Sequence, residues 1–227
     1  MEPTRKTLLL AAVHSELEPA RERLGLTREA GRGLWAGSER PMLALATGMG
    51  PERMKARLGE VLEREPVERV VLLGFAGGLD PALKAGEVVR FSQVVSEAGE
   101  RLDLAGPGAG AVLLSADRLA ESVDRKRGLR QRYEAEAVDL ETFDVAAMLR
   151  ERGIELAVLR AISDPFCTAL PAEAMDWVRP DGEPDPWAAA KWVAQHPLQL
   201  PDLLRLAWVT RRGAKALGRE VAKEVAR

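Results

Sequence analysis

The sequence predicts a single α/β domain spanning residues 1–227, in which helices cover both faces of a largely parallel sheet and residues 165–227 form a helical C-terminal extension. Three observations carry this. Short, near-continuous apolar runs alternate with stretches of helical periodicity, as expected of βα units whose strands are buried on both faces. Glycine-rich turns follow two of the runs, at Thr47-Gly48-Met49-Gly50 and Gly74-Phe75-Ala76-Gly77-Gly78. A length of 227 residues, with 46% hydrophobic and 30% charged residues, suits one sizeable core and excludes disordered, collagen-like and disulfide-built chains.

Taken in order, Leu8 to Val13 reads as a buried strand and Glu16 to Leu24 as the helix after it. Met42 to Ala46 is the next strand. The turn at Gly48 and Gly50 follows, and Pro51 is placed to open a helix to about Glu65, where its missing N–H costs nothing. Val70 to Leu73 runs into the second glycine cluster, and a β pattern resumes from Val88 to Val95 after the turn residues Asp80-Pro81 and Ala85-Gly86. Residues 99–110 hold four glycines and one proline without periodicity and read as a connecting loop. Ser115-Ala116-Asp117 is a candidate cap for a helix to about Arg132; Ala137-Val138 is a short strand, Leu140 to Glu151 a helix, and Leu156 to Ile162 a clear late strand. Pro171, Pro180, Pro184, Pro186, Pro197 and Pro201 then divide the chain into short helices before a longer one from about Leu203 to Ala226.

Composition narrows the function. Thirty-three Lys and Arg against 35 Asp and Glu leave a net charge of −2, so there is no cationic field to hold a nucleic acid. The single cysteine, Cys167, cannot form an internal disulfide, and the start of the chain lacks a signal-peptide layout, so a reducing cytoplasm is expected. The apolar runs fall well short of the ~20 residues of a membrane span. His14, His196 and Cys167 show no metal-ligand spacing, and neither a metal nor another cofactor is expected.

Sites in open α/β sheets lie beyond the carboxyl ends of the strands, which points at Gly48, Phe75 and Asp164. Gly48-x-Gly50 aims backbone N–H groups at an anion or a sugar, or is a tight turn without a ligand. It is not a dinucleotide fingerprint, because Arg53 stands at the third glycine position. Asp164 is either the cap of the next segment or a proton donor kept protonated by its apolar surroundings. Glu141 is either first-turn support for a helix or a two-oxygen acceptor for sugar hydroxyls. Arg160, on an otherwise apolar strand, needs an acid or an anion as partner.

Ala76-Gly77-Gly78-Leu79-Asp80-Pro81-x-Leu83-x-x-Gly86-Glu87-Val88-Val89 resembles a stretch of the nucleoside phosphorylase and nucleosidase family. Val138-Asp139-Leu140-Glu141 is similar to its ribose-binding segment, Arg160-Ala161-Ile162-Ser163-Asp164 to its catalytic strand end, Ala12 to Glu16 to its opening motif, and Thr47 to Gly50 to its glycine turn. The likeness covers most of the first 165 residues. It implies a three-layer αβα fold with a mixed, mostly parallel central sheet, and cleavage of the N-glycosidic bond of a purine nucleoside. In that family's terms Asp164 protonates the leaving base, Glu141 holds the ribose, and Glu16 holds the attacking water. Leu140, Ser163, Phe75, Ala76 and Gly77 line the substrate, while Gly48, Gly50 and Arg160 place water or a phosphate co-substrate. The family also implies a homodimer.

Arg179-Pro180-Asp181-Gly182 and Gln199 to Leu206 are similar to the tail of the hopanoid-associated phosphorylases, which act on a lipid-linked adenosine, as are Ala116 to Arg118 and Val123 to Lys126. The alternatives are a hydrolytic nucleosidase for methylthioadenosine, S-adenosylhomocysteine or futalosine, and a nucleoside-binding module without turnover. Two departures from the family bear on the choice: Phe75 replaces a small residue, and the stretch from Glu97 to Ser115 is short. The segment from Leu198 to Arg227 is basic and amphipathic, suited to anionic lipid or to packing on the protein's own sheet or a second subunit.

Overall fold

The computed structural model describes residues 4–29, 33–38, 40–105, 110–168, 179, 185–196 and 200–226. Its strands are β1 (Lys6–Ala11), β2 (Thr27–Arg28), β3 (Leu34–Ala36), β4 (Met42–Ala46), β5 (Val67–Gly78), β6 (Val88–Phe91), β7 (Gln93–Ser96), β8 (Arg101–Asp103), β9 (Val112–Ser115), β10 (Ala137–Asp139) and β11 (Glu155–Asp164). The helices are α1 (His14–Arg23), α2 (Pro51–Leu62), α3 (Val123–Tyr133), α4 (Thr142–Glu151), α5 (Pro186–Gln195) and α6 (Leu200–Glu224).

One mixed sheet has the order β2-β3-β4-β1-β5-β10-β9-β7-β8, with β11 on the other side of β5 and β6 beyond it. Its heart is parallel, β4-β1-β5-β11, as are β10-β9-β7; β2, β3, β6 and β8 join antiparallel, and β5 and β10 also meet antiparallel. Both faces of β1 are buried. Leu8 and Leu10 pack with Met54 and Leu58 of α2 and Val145 and Leu149 of α4, while Leu9 and Ala11 pack with Leu17 of α1 and Leu217 and Val221 of α6. That double burial explains why the strand reads as an unbroken apolar run. A smaller cluster joins Leu114 and Val138 to Leu129 and Tyr133 of α3.

The sequence expectations differ from the structure where sheet pairing overrides local pattern. Ser115 ends the buried strand β9 instead of capping a helix, and α3 starts later, capped by Ser122, whose hydroxyl accepts from the Arg125 N–H. The region expected as loop contains β8, which gains its bonds from β7. The β pattern from Val88 to Val95 is two strands, because β6 pairs with β11 while β7 pairs with β9. The glycine cluster is not a turn: β5 continues through it to Gly78, held by β11 as far as Gly77. The edge strands β2 and β3 are too short to carry a periodicity.

Within the C-terminal extension, α6 is integral to the core. α6 packs on α1 and β11, and Gly218 lets it approach so closely that a Cβ there would lie 2.7 Å from the Pro19 backbone. Glu224, buried at its end, accepts from Arg69 of β5 and, at 2.8 Å, from Arg90 of β6. Among the described residues no helix is long and apolar enough to cross a membrane. Pro171, Pro180, Pro184 and Pro197, the residues Pro180 to Gly182 of the hopanoid-type segment, and Gln199 lie outside the described residues.

Candidate active site

The pairing of β1 with β5 ends at Leu10, opposite Leu72, and β10 joins the same side of β5 only at Gly77. Between them the edge of β5 is open, and its backbone groups need partners from elsewhere. Glu16 supplies one. Placed in the first turn of α1, its carboxylate accepts from the Val13 N–H at 3.1 Å, at the start of its own helix, and from the Phe75 N–H of β5 at 3.1 Å. Arg160 enters from the neighbouring β11, fully buried; its Nη2 donates to Asp139 Oδ2 at 2.5 Å and to Thr142 Oγ1 at 2.8 Å. Gly74 makes room for this crossing, since a Cβ there would fall 2.3 Å from Arg160 Nη1 and 3.0 Å from Glu16 Oε1.

These groups border a cavity of about 260 Å³ at the strand ends. Glu16, Phe75, Ala76, Gly77, Leu140, Glu141, Arg160, Ser163 and Asp164 all line it. The glycine turn contributes Met49, while Gly50 borders an adjoining open cleft of about 1090 Å³ that shares Leu140 and Glu141. The Gly48 N–H is spent on the Ala12 carbonyl at 2.8 Å. The Phe75 ring lies under α6, within contact distance of the space a side chain at Gly213 would fill.

Burial sets the protonation of the site. Glu141 stands at the N-terminal boundary of α4, yet its side chain makes no capping bond and faces the cavity. Its carboxyl is pushed up to about 7, first by desolvation and then by the charges of Asp139 and Glu16, against the pull of Arg160. Burial also raises Glu16, opposed by Arg160 and by its backbone hydrogen bonds. Asp164, 2% exposed, is raised by burial as well, opposed by Lys126 and Ser163. Lys126 Nζ donates to Asp164 Oδ2 at 2.5 Å, and the Ser163 hydroxyl bonds Oδ1. Arg160 is held charged by Asp139, Glu141 and Glu16 despite its burial.

Asp139 and Lys126 stood in the sequence only as members of segments similar to the family, without a role of their own, and Thr142 was not singled out. Asp139 and Thr142 carry a faint local signal, since a carboxylate three residues before a helical threonine can bond its N–H, as it does here at 3.3 Å. Lys126 carries none, because it reaches Asp164 across 38 residues of chain. Among the described residues no group of His, Cys, Asp and Glu side chains could hold a metal ion.

The family model described as Phosphorylase superfamily matches residues 8–116. No curated protein sequence matches the chain. Among solved structures, the chain resembles 5′-methylthioadenosine/S-adenosylhomocysteine nucleosidase of Helicobacter pylori, at 17% identity and a TM-score of 0.73 over 99% of both chains. The enzyme of the same description from Campylobacter jejuni matches at 14% identity and a TM-score of 0.69, covering 97% of this chain and 98% of its own. Futalosine hydrolase of Helicobacter pylori matches at 21% identity and a TM-score of 0.62, covering 71% of this chain and 88% of its own. The chain thus has the three-layer α/β fold of these nucleosidases, and its first half carries the sequence pattern of the phosphorylase superfamily.

Proposed function

We propose that the protein is an enzyme that cleaves the N-glycosidic bond of a purine nucleoside, an adenosyl compound, with water as the nucleophile. The observation that carries this reading is the convergence on one cavity of Asp164, an acid raised by burial, with Glu141, Glu16 and Arg160. As the bond breaks, its electron pair moves to the base and positive charge develops on the ribose. Asp164 gives its proton to the base. Glu141, ionised, accepts from the ribose 2′- and 3′-hydroxyls and faces the developing positive charge. Glu16, fixed by two backbone N–H groups, orients water and takes its proton, and Arg160 keeps Glu16 and Glu141 in place electrostatically.

Charge favours water over phosphate. With Asp164 protonated as the donor, Glu16, Asp139 and ionised Glu141 are three carboxylates facing Arg160, with Lys126 set behind Asp164, and Nη2 of Arg160 is already taken by Asp139 and Thr142. A phosphate dianion would enter a negatively charged cavity. This supports a hydrolytic nucleosidase of the methylthioadenosine, S-adenosylhomocysteine or futalosine type. The adjoining cleft, bordered by Glu97, Asp117, Arg118, Arg125 and Arg132, suits a polar 5′ substituent.

One observation favours the hopanoid-associated reading, a phosphorylase acting on a lipid-linked adenosine. On α6, Leu204 and Trp208 are 62% and 61% exposed, with Arg212 stacked over the Trp208 ring, a combination suited to a lipid surface or to the second subunit of a homodimer. Adenine release from adenosine, methylthioadenosine, S-adenosylhomocysteine and a long-tailed 5′-alkyl adenosine, each with and without phosphate, decides between the readings. Phosphate-independent release from the polar substrates is the expected result, and phosphate-dependent release from the alkylated one would establish the lipid-linked reading instead. Asp164→Asn should lower release by about 10²- to 10⁴-fold without unfolding the protein. No release from any substrate leaves a nucleoside-binding module.

A further inference from the structure

The mechanism above uses Asp164 but gives no task to the lysine behind it. Lys126 is fully buried in the first turn of α3. Its Nζ lies 2.5 Å from Asp164 Oδ2 and 3.3, 2.9 and 2.9 Å from the carbonyl oxygens of Asp164, Pro165 and Thr168. Two general costs stand against a lysine there: a buried ammonium loses its hydration, and a cation near a helix N-terminus opposes the dipole. An apolar side chain would fill the same volume without either but would leave the three carbonyls and the carboxylate without this donor, so the ammonium is there for its polar partners and not for packing.

We propose that Lys126 is a positioning residue for the reaction: its ammonium holds Oδ2 of the Asp164 carboxyl against α3, so that Oδ1, which accepts from the Ser163 hydroxyl through one lone pair, is the oxygen that carries the proton to the leaving base. The inference rests on the reading of Asp164 as the proton donor. When the C–N electron pair passes to the base, the proton on Oδ1 passes to a base nitrogen and Asp164 is left as a carboxylate. Lys126 already faces that charge as it develops, without any reorganisation. The three carbonyls keep the ammonium in place through the cycle and tie the chain after β11 to α3.

A pH signature follows. Burial raises the Asp164 carboxyl, and Lys126 is the largest influence pulling it back, with Ser163 adding to it. The other charged groups bordering the cavity are Glu16 from α1, Asp139 from β10, Glu141 at the start of α4 and Arg160 on β11, and all four remain when Lys126 is replaced. Removing the ammonium should therefore keep Asp164 protonated to higher pH and make it a weaker and less well-aimed acid.

The test uses the full-length protein and its Lys126→Met, Lys126→Gln and Lys126→Arg variants. The Asp164 carboxyl carbon, assigned by its loss in Asp164→Asn, is titrated by carbon-13 NMR without ligand, and the kcat–pH profile for adenine release is measured in parallel. In Lys126→Met the titration midpoint should rise by about one pH unit or more, with the alkaline limb of kcat rising in step. At neutral pH kcat should fall roughly tenfold or more while KM changes little, and Lys126→Arg should restore much of the wild-type midpoint. If Lys126→Met does not fold, Lys126→Gln, which keeps a donor without the charge, carries the same comparison. An unmoved midpoint, or a kcat profile coincident with wild type in a folded variant, overturns the proposal. Absence of release from the wild type, with the midpoint still moved, would sink the reaction while showing that the pair exists.

Discussion

Replacing Glu141 by glutamine should stabilise the ligand-free protein at alkaline pH and weaken nucleoside binding at that same pH. The carboxyl is raised from its ordinary value of 4.5 to about 7, with burial as the leading cause. Between those values the folded protein holds a proton that the unfolded chain has already lost, so raising the pH draws the equilibrium toward the unfolded state. The stability lost is complete above pH 7 and regained below 4.5. A difference of about 2.5 pH units at about 1.4 kcal/mol each corresponds to about 3 to 4 kcal/mol. Glutamine keeps the shape without the charge, so urea unfolding should show Glu141→Gln up to about 3 to 4 kcal/mol more stable than wild type at pH 8 and nearly equal to it at pH 4.5. Binding should move oppositely. In the proposed reading ribose hydroxyls donate to the ionised carboxylate, so wild-type affinity for a nucleoside should climb as pH rises through 7, whereas the variant should bind roughly 10²-fold more weakly with a flat profile. A stability difference of the same size at both pH values would refute the argument, because it would mean that Glu141 does not titrate between them.

Other substitutions probe the frame that holds the site. Gly74→Ala should cost about 1–3 kcal/mol in thermal or urea unfolding and lower base release more than stability alone explains, because its Cβ would meet Arg160 Nη1 at 2.3 Å and displace the guanidinium from Asp139. Glu224→Ala should lower stability by about 3 kcal/mol by leaving Arg69 and Arg90, both largely buried, without their shared carboxylate. Its base-release rate under native conditions should match wild type, since Glu224 does not border the cavity.

Much of the fold was legible because double burial writes itself into the chain. β1, β4 and the middle of β5 are buried on both faces, and their apolar runs mark them without any knowledge of their neighbours. The start of α2 was likewise local, set by Gly50 and Pro51. β9 and β8 were hidden because their strand character comes from partners: β9 is held between β7 and β10, and β8 depends on β7. The cap at Ser122 was hidden for a related reason, since Ser115 offers an equally good capping side chain and only the sheet decides which serine is used.

The sequence by itself determined the βα order, the carboxyl-end placement of Phe75 and Asp164, and the need of Arg160 for an acid or an anion, because each follows from local periodicity or from the cost of an unpaired charge, whereas Glu16 and Glu141 were marked only by the family resemblance. Which acid satisfies Arg160, the gathering of Glu16, Asp139, Glu141 and Asp164 around one cavity, the rise of Glu141 to about 7 and the lysine behind Asp164 were decided by the tertiary structure alone. These are sums over groups brought together from α1, α3, β10, α4 and β11, and desolvation acts on a carboxylate only once other elements have closed around it.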